Sequence, residues 1–203
     1  PLAVSFDHGF YRSQLLENRD RTMRKLGCDL LVFKPNPQIV KKLMVESLIR
    51  KGDFCWHCHV GVSTFPMQIA IKYKIPFIIW GEPTAEYTSY YSYDQMEFVD
   101  EKRFNQWVNL GITANDMLGM LDNTVEMRDL EPFIYPPLKE LKAIKYCSVP
   151  LGNFIPWDPR KHYEIINKEI GWEGDNVEGV PPGYSYEKIE CAMQGVRDYC
   201  KFI

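Results

Sequence analysis

Two cysteines separated by two residues form the clearest chemical motif of the sequence, Cys55-Trp56-His57-Cys58. The two intervening residues let the chain turn so that both thiolates can bind one soft metal ion. Zinc or an iron–sulfur cluster needs one or two further ligands, and the candidates are Cys191, Cys147, Cys200, His57 and His59. A redox pair and buried free thiols are the alternatives.

Polar residues at the ends of two apolar segments form a second candidate group. Asp7-His8-Gly9 follows the segment Leu2–Phe6, and Gly81-Glu82 follows the segment 75–80. Asp7 and His8 can bind a ribose hydroxyl, an adenine edge or Mg²⁺, or they can form a turn with an Asx hydrogen bond and Gly9. Glu82 can hold a metal ion beside a nucleotide, or it can cap a helix or turn.

The first part of the chain predicts alternating strands and helices. Apolar runs predict strands at Leu2–Phe6, 30–33 and 75–80, and helical spacing predicts helices at 13–26, 37–51 and 64–74, the second capped by Asn36 and followed by Gly52. This alternation indicates an α/β fold with an open, mostly parallel sheet, in which ligands bind beyond the carboxyl ends of the strands. Both polar groups fall at that edge.

The second part predicts helices that close over the sheet edge. We expect helices at 101–110, at 113–121 with Thr113 and Asp116 as a capping pair, and from Asp158-Pro159 to Ile170. Ser185 is expected to cap a last helix that contains Cys191. The tyrosines of residues 87–93 form either a sugar-stacking wall or an aromatic lid. We divide the chain into a partial nucleotide-binding domain over 1–122 and a mainly helical extension over 123–203.

Composition excludes several classes of protein. The 203 residues contain 24 Lys and Arg against 27 Asp and Glu, with no basic tail, so neither nucleic acid nor an anionic membrane is an expected partner. No apolar run approaches the roughly 20 residues of a membrane span. Six cysteines are too few for a disulfide scaffold, and we expect a cytoplasmic protein. A Gly-rich phosphate loop is missing from these residues.

Several short strings together resemble the N-acetyl sugar amidotransferase family. They are Phe6-Asp7-His8-Gly9-Phe10, Lys34-Pro35-Asn36-Pro37, Gly52-Asp53-Phe54-Cys55-Trp56-His57-Cys58-His59, Ile78-Ile79-Trp80-Gly81-Glu82, Tyr135-Pro136-Pro137-Leu138, Phe154-Ile155-Pro156-Trp157-Asp158 and Gly195-Val196-Arg197-Asp198-Tyr199. The string around the two cysteines is the most specific, and the resemblance extends over essentially the whole chain.

The resemblance implies a fold and a reaction. The family belongs to the ATP pyrophosphatases, with a Rossmann-like sheet, and acts in the synthesis of O-antigen and related surface glycans. Its members convert the acetamido group of a sugar to an acetamidino group with ATP, Mg²⁺ and ammonia, through an adenylated intermediate. The family's Ser-Gly-Gly-x-Asp-Ser loop is expected just upstream of the strand Leu2–Phe6, so we expect this chain alone to be a poor catalyst.

The resemblance also implies roles for single residues. Phe6, Asp7, His8, Gly9 and Gly81 are expected to contact the nucleotide, with His8 and Glu82 as catalytic groups. Related tRNA thiolases bind an iron–sulfur cluster through a Cys-x-x-Cys and a distant third cysteine, which gives Cys55 and Cys58 a precedent as ligands of zinc or a cluster. Cys191 is the preferred third ligand, with Cys147 as the alternative.

The implied partners are an N-acetylated nucleotide sugar, a glutaminase subunit and a synthase-like subunit that forms an ammonia channel. A tRNA-thiolating enzyme and a noncatalytic interaction domain stapled by a metal ion are the two other functions consistent with the sequence. The net charge of −3 argues against an RNA substrate.

Overall fold

The computed structural model describes residues 1–81, 101 and 104–202 and has a mixed α/β architecture, which confirms the predicted class. In chain order the strands and helices are β1 (Leu2–Phe6), α1 (Ser13–Leu26), β2 (Asp29–Phe33), α2 (Pro37–Lys51), α3 (Trp56–Tyr73), β3 (Phe77–Trp80), a π-helical turn (Phe104–Val108), α4 (Ala114–Met120), α5 (Met127–Leu130), α6 (Leu138–Ala143), β4 (Cys147–Pro150), α7 (Pro159–Ile170) and α8 (Gln194–Phe202).

The chain forms two compact units. The first consists of Pro1–Cys55 and Asp158–Ile203, and the second consists of Trp56–Trp157. The predicted division after residue 122 falls within the second unit and stays a prediction.

Each unit contains one pair of parallel strands. In the first unit β1 pairs with β2 so that Phe6 lies opposite Phe33, and α1 forms the connection between them. In the second unit β3 pairs with β4 so that Phe77 lies opposite Cys147. The alternating pattern predicted the parallel pairing of β1 and β2 across a helix, whereas the described strands form two separate two-stranded sheets in place of the one open sheet expected.

Local sequence signals set the ends of the helices. Gly27 and Gly52 end α1 and α2 with φ angles of +61° and +66°, which a residue without Cβ adopts at little cost. Asn36 begins α2 by accepting a hydrogen bond from the Gln38 amide, and Asp158 does the same for α7 with Lys161. Thr113 and Asp116 form the capping box of α4. These predictions are confirmed.

Three predicted elements differ from the structure. The helix expected at 64–74 begins eight residues earlier, at Trp56, because Trp56, Val60 and Met67 bury a continuous apolar face through the segment that contains Pro66. A π-helical turn replaces most of the helix expected at 101–110. The last helix begins only at Gln194, so Ser185 does not cap it and Cys191 precedes it.

The second unit packs around Trp56, which is fully buried. Its indole Nε1 donates to the carbonyls of Asn109 at 3.1 Å and Ile112 at 3.0 Å, and its ring lies 5.7 Å from that of Phe133. The neighbouring Thr64 hydroxyl donates to the carbonyls of Val60 and Pro132. These bonds satisfy the polar atoms of Trp56 and Thr64 in a largely apolar core that also contains His57 and Asn109.

The first unit depends on a polar attachment between α1 and the segment 171–178, which we call the strap. Asn18 is fully buried, and its side-chain amide donates to the Glu173 carbonyl at 2.6 Å and accepts from the Glu173 amide at 2.9 Å. Arg21 donates to the Gly171 carbonyl, and Arg12 pairs with Glu178 at 2.6 Å. One face of α1 therefore binds the strap through its backbone and its carboxylates.

A close approach of two backbone segments fixes the middle of the strap. The Asp175 amide donates to the Ser185 carbonyl at 2.8 Å. A Cβ at Gly174 would lie 2.6 Å from that same carbonyl oxygen, which is closer than van der Waals contact permits. Residue 174 is therefore restricted to glycine.

No helix in the described residues is long and apolar enough to cross a bilayer.

Replacing Asn18 with Ala should lower the free energy of unfolding by roughly 1–3 kcal/mol, because it removes a fully buried side chain that bonds both the amide and the carbonyl of Glu173. Gln14 provides the control, since its side chain donates to the exposed Glu173 carboxylate at 3.1 Å and makes only a long contact, at 3.5 Å, with Asn18 Oδ1. The Gln14→Ala change should cost less than about 1 kcal/mol. Urea unfolding of both variants tests the difference, and equal losses would contradict the role given to Asn18.

Replacing Gly174 with Ala should destabilise the protein by about 1–3 kcal/mol, because the new Cβ meets backbone that no side-chain rotation can move. Gly195→Ala is the control, since a Cβ there meets no atom within 4 Å. Thermal unfolding should show a lower midpoint for the first variant and an unchanged or higher one for the second.

Candidate functional site

The candidate site lies at the carboxyl end of β1, where the polar residues Asp7 and His8 are both buried. The Asp7 amide continues the parallel ladder by donating to the Phe33 carbonyl at 2.8 Å. Asp7 Oδ1 accepts from the Gly9 amide at 2.8 Å, and its Oδ2 lies 3.3 Å from Lys34 Nζ. Gly9 turns the chain with φ +93°, so the Asx turn that the sequence allowed is present.

His8 is held as a neutral imidazole. Its Nδ1 accepts from the Phe10 amide at 3.3 Å, and its ring meets the Tyr11 ring edge-on at 4.2 Å. Burial lowers the pKa of His8 below its usual value of 6.5, and the nearby Asp7 charge only partly opposes this shift. Because Nδ1 accepts, the proton lies on Nε2, which is left as a hydrogen-bond donor.

The segment before α8 covers the turn that contains His8. The Ala192 amide donates to the Phe10 carbonyl at 2.9 Å, and the Met193 amide donates to Cys191 Sγ at 3.3 Å. Burial raises the pKa of the half-buried Cys191 thiol, while the positive charges of Arg197 and Arg12 lower it. Burial is the larger effect, so Cys191 is a thiol at neutral pH and not a ready nucleophile.

A buried ion pair joins α8 to the residues before Cys55. Asp53 Oδ1 accepts from the Cys55 amide at 2.8 Å, and its Oδ2 lies 3.8 Å from Arg197 Nε. The two side chains are only 6% and 14% exposed. Cys55 and Cys191 therefore both adjoin residues of this pair, Cys55 through its amide and Cys191 through the Arg197 charge.

The predicted metal ligands do not form a recognisable metal site. Cys55 is buried, Cys58 is half-buried in the first turn of α3, and Cys147 is exposed on β4. Within the described ranges, no three His, Cys, Asp or Glu side chains lie close enough together to hold a metal ion. Cys55, Cys58 and Cys191 as ligands of zinc or an iron–sulfur cluster therefore stay a prediction.

Some of the remaining predicted residues lie in the part of the chain that the structure describes, and others lie outside it. Phe6 is buried at the end of β1, and Gly81 follows β3 and is exposed. Glu82 and the tyrosines of residues 87–93 lie outside the described residues. His57 and His59 lie in α3, and His57 is buried.

Three charged residues of the site had no role in the sequence analysis: Asp53, Arg197 and Arg12. Asp53 lies two residues before Cys55, a spacing typical of an Asx turn, and this signal was present in the sequence. The pairing of Asp53 with Arg197 joins residues 144 positions apart, so no local pattern predicts it.

No protein-family model and no curated protein sequence matches the chain. The motifs quoted above are therefore the only basis for its resemblance to a family, and the assignment of a function is a proposal.

Replacing His8 with Asn should flatten the pH dependence of stability. The folded-state pKa lies below the unfolded value, so the unfolded chain binds more protons between the two. The stability that neutral His8 contributes is complete above pH 6.5 and is lost as the pH falls toward the folded pKa.

Urea unfolding of wild type and His8→Asn between about pH 5 and pH 7.5 measures this effect. Asn can still accept from the Phe10 amide through Oδ1, so the turn is preserved. The unfolding free energy of the wild type should fall more steeply with acid than that of the variant. Parallel profiles would show that His8 is not held neutral.

Proposed function

We propose that the chain is the nucleotide-binding part of an ATP-dependent amidotransferase that converts the acetamido group of a sugar to an acetamidino group. The observation that supports this most directly is the buried Asp7-His8 turn at the carboxyl end of a parallel strand, the place where nucleotides bind in open α/β sheets. The resemblance of the strings around Asp7, Cys55 and Gly81 supplies the reaction and the substrate class.

The parallel pairs β1·β2 and β3·β4 are the local strand arrangement that such a fold needs. We propose that β1 and β2 belong to a Rossmann-like sheet of the ATP pyrophosphatase type. The Ala192–Phe10 hydrogen bond places a second segment of the same unit beside the end of β1.

The reaction needs activation because an amide carbonyl is a poor electrophile toward ammonia. The acetamido oxygen attacks the α-phosphorus of ATP, and pyrophosphate leaves. Ammonia then adds to the activated carbon, AMP leaves with the former acetamido oxygen, and loss of a proton from nitrogen gives the amidine. Exclusion of water protects the adenylated intermediate from hydrolysis.

We assign His8 the role of a hydrogen-bond donor. Its Nδ1 already accepts the Phe10 amide and its pKa is lowered, so Nε2–H is the group left to donate to an acceptor atom of the nucleotide or the acetamido group. A catalytic role for Glu82, and nucleotide contacts from Phe6, Asp7, Gly9 and Gly81, remain part of the proposal.

Mg²⁺ would neutralise phosphate charge during attack on ATP. Asp7 Oδ1 accepts from the Gly9 amide and Oδ2 lies 3.3 Å from Lys34 Nζ, and no group of three His, Cys, Asp or Glu side chains that could hold a metal ion is found among the described residues. The proposal includes a cytoplasmic enzyme of surface-glycan synthesis, supplied with ammonia by a glutaminase and a synthase-like channel subunit.

AMP binding tests the nucleotide site. Calorimetry should show that His8→Asn binds AMP roughly tenfold more weakly than wild type, the effect of one lost hydrogen bond in a buried site. His162→Asn, which changes a histidine of α7, is the matched control and should bind as wild type does. Equal affinities for wild type and His8→Asn would remove His8 from the nucleotide site.

Isotope transfer tests the reaction itself. Protein expressed from the complete open reading frame is incubated with ATP, ammonium and a nucleotide sugar whose acetamido oxygen is ¹⁸O. Mass spectrometry should find ¹⁸O in AMP and an amidine in the sugar. AMP formed without ¹⁸O, or formed with RNA in place of the sugar, would overturn the amidotransferase assignment.

A further inference from the structure

Arg197 is a nearly buried guanidinium whose hydrogen-bonding capacity the described part of the chain does not use. Its side chain is 14% exposed, and its Nε is buried without a hydrogen-bond partner among the described residues. The Asp53 carboxylate lies 3.8 Å from that Nε, which is beyond hydrogen-bonding distance. A buried N–H donor without a partner is costly.

Two other arginines of the same unit donate side-chain hydrogen bonds, although the Nε of one of them, Arg12, is also buried without a partner among the described residues. Arg12 donates to Glu178 at 2.6 Å and has Asp175 at 3.6 Å, and Arg21 donates to the Gly171 carbonyl. Each of them attaches the strap to α1. Among the described residues, the Arg197 side chain has only the loose contact with Asp53, so attachment of one segment to another does not explain its burial.

The position of Arg197 relates it to the candidate site. Its amide donates to the Met193 carbonyl in the first turn of α8, directly after the residues that cover the His8 turn. Its charge also acts on the Cys191 thiol. The guanidinium therefore lies beside the segment that closes the carboxyl end of β1, and not on a remote surface.

A guanidinium has five N–H donors in a planar fork that matches two oxygens of a phosphate group. Asp53 balances the charge of Arg197 and allows its burial, but at 3.8 Å it leaves the fork open to a better-matched acceptor. We propose that Arg197 binds a phosphate group of the ligand at this site. The inference rests on the proposed function only for the source of that phosphate, which is either a mononucleotide or a diphosphate-linked sugar.

Asp53 should weaken the binding of an anion to Arg197. Its carboxylate repels an incoming anion and competes with it for Arg197. In Asp53→Asn the side-chain oxygen can still accept from the Cys55 amide, so the turn before Cys55 is preserved. If Arg197 binds phosphate, removal of the Asp53 charge should strengthen that binding. If the ion pair has only a structural role, the same change should only weaken the contact between Asp53 and Arg197.

Isothermal calorimetry with inorganic phosphate tests the site without any nucleotide. Wild type should bind phosphate, and Arg197→Lys should bind roughly tenfold more weakly, since lysine retains the charge but loses the fork. Asp53→Asn should bind more tightly, by a factor on the order of three to ten. Arg50→Lys, a change to an exposed arginine paired with Glu46 on α2, should bind as wild type does.

Three outcomes would overturn the proposal: no phosphate binding by wild type at millimolar concentration, equal binding by wild type and Arg197→Lys, or weaker binding by Asp53→Asn. Thermal unfolding without ligand shows whether Arg197→Lys is folded. If Arg197→Lys is not folded, the phosphate affinity of Asp53→Asn decides whether the proposal stands: tighter binding supports it and weaker binding overturns it.

The two sources of phosphate are separated by comparing AMP with a diphosphate-linked N-acetylhexosamine. The ligand whose affinity falls most in Arg197→Lys provides the phosphate. If Arg197→Lys loses phosphate binding and the isotope transfer fails, the phosphate site is supported and the amidotransferase function is overturned. If Arg197→Lys binds phosphate as wild type does and the isotope transfer succeeds, only the role of Arg197 is overturned.

Discussion

The double hydrogen bond between the Asn18 side chain and the Glu173 backbone holds the C-terminal residues of the chain against its first helix. It joins residues that lie 155 positions apart in sequence, and the Asn18 side chain is fully buried. The residues that follow, from the strap to α8, supply Cys191, Ala192 and Arg197 to the end of β1. The candidate site therefore depends on a contact made by a residue that takes no part in its chemistry.

Burial of polar groups determines what the site can do. The imidazole of His8 is kept neutral because its surroundings solvate a charge poorly, and the same effect keeps Cys191 protonated despite two nearby arginines. Such an environment favours hydrogen-bond donation and protection of a reactive intermediate over thiolate or imidazolium chemistry. Asp53 and Arg197 are buried as a pair because neither charge would be tolerated alone.

Much of the local structure could be predicted from the sequence. The ends of α1, α2, α4 and α7 follow from capping residues, whose hydrogen bonds are local. The Asx turn at Asp7 is local in the same way. The sequence therefore predicted where the polar end of β1 lies and that its residues form a turn.

Contacts between distant residues could not be predicted in this way. β4 is only four residues long, and its parallel partner β3 lies far from it in sequence. The strap has no regular secondary structure, and its position is set by Asn18, Arg21 and Gly174, which no periodic pattern identifies. Arg197 lies in a short motif that the resemblance included, but only its burial beside Asp53 distinguishes it from a surface arginine.

The attachment of the strap has a consequence for local motion. Irregular segments usually exchange their amide hydrogens with solvent quickly, because their hydrogen bonds open without disturbing a helix or sheet. The Glu173 amide is bonded to a side chain that is itself inside the fold, so it can open only when α1 and the strap separate. The Glu173 amide, although it lies in a loop, should therefore exchange among the slowest of its unit. Its exchange rate should show whether the site is intact when no ligand is bound.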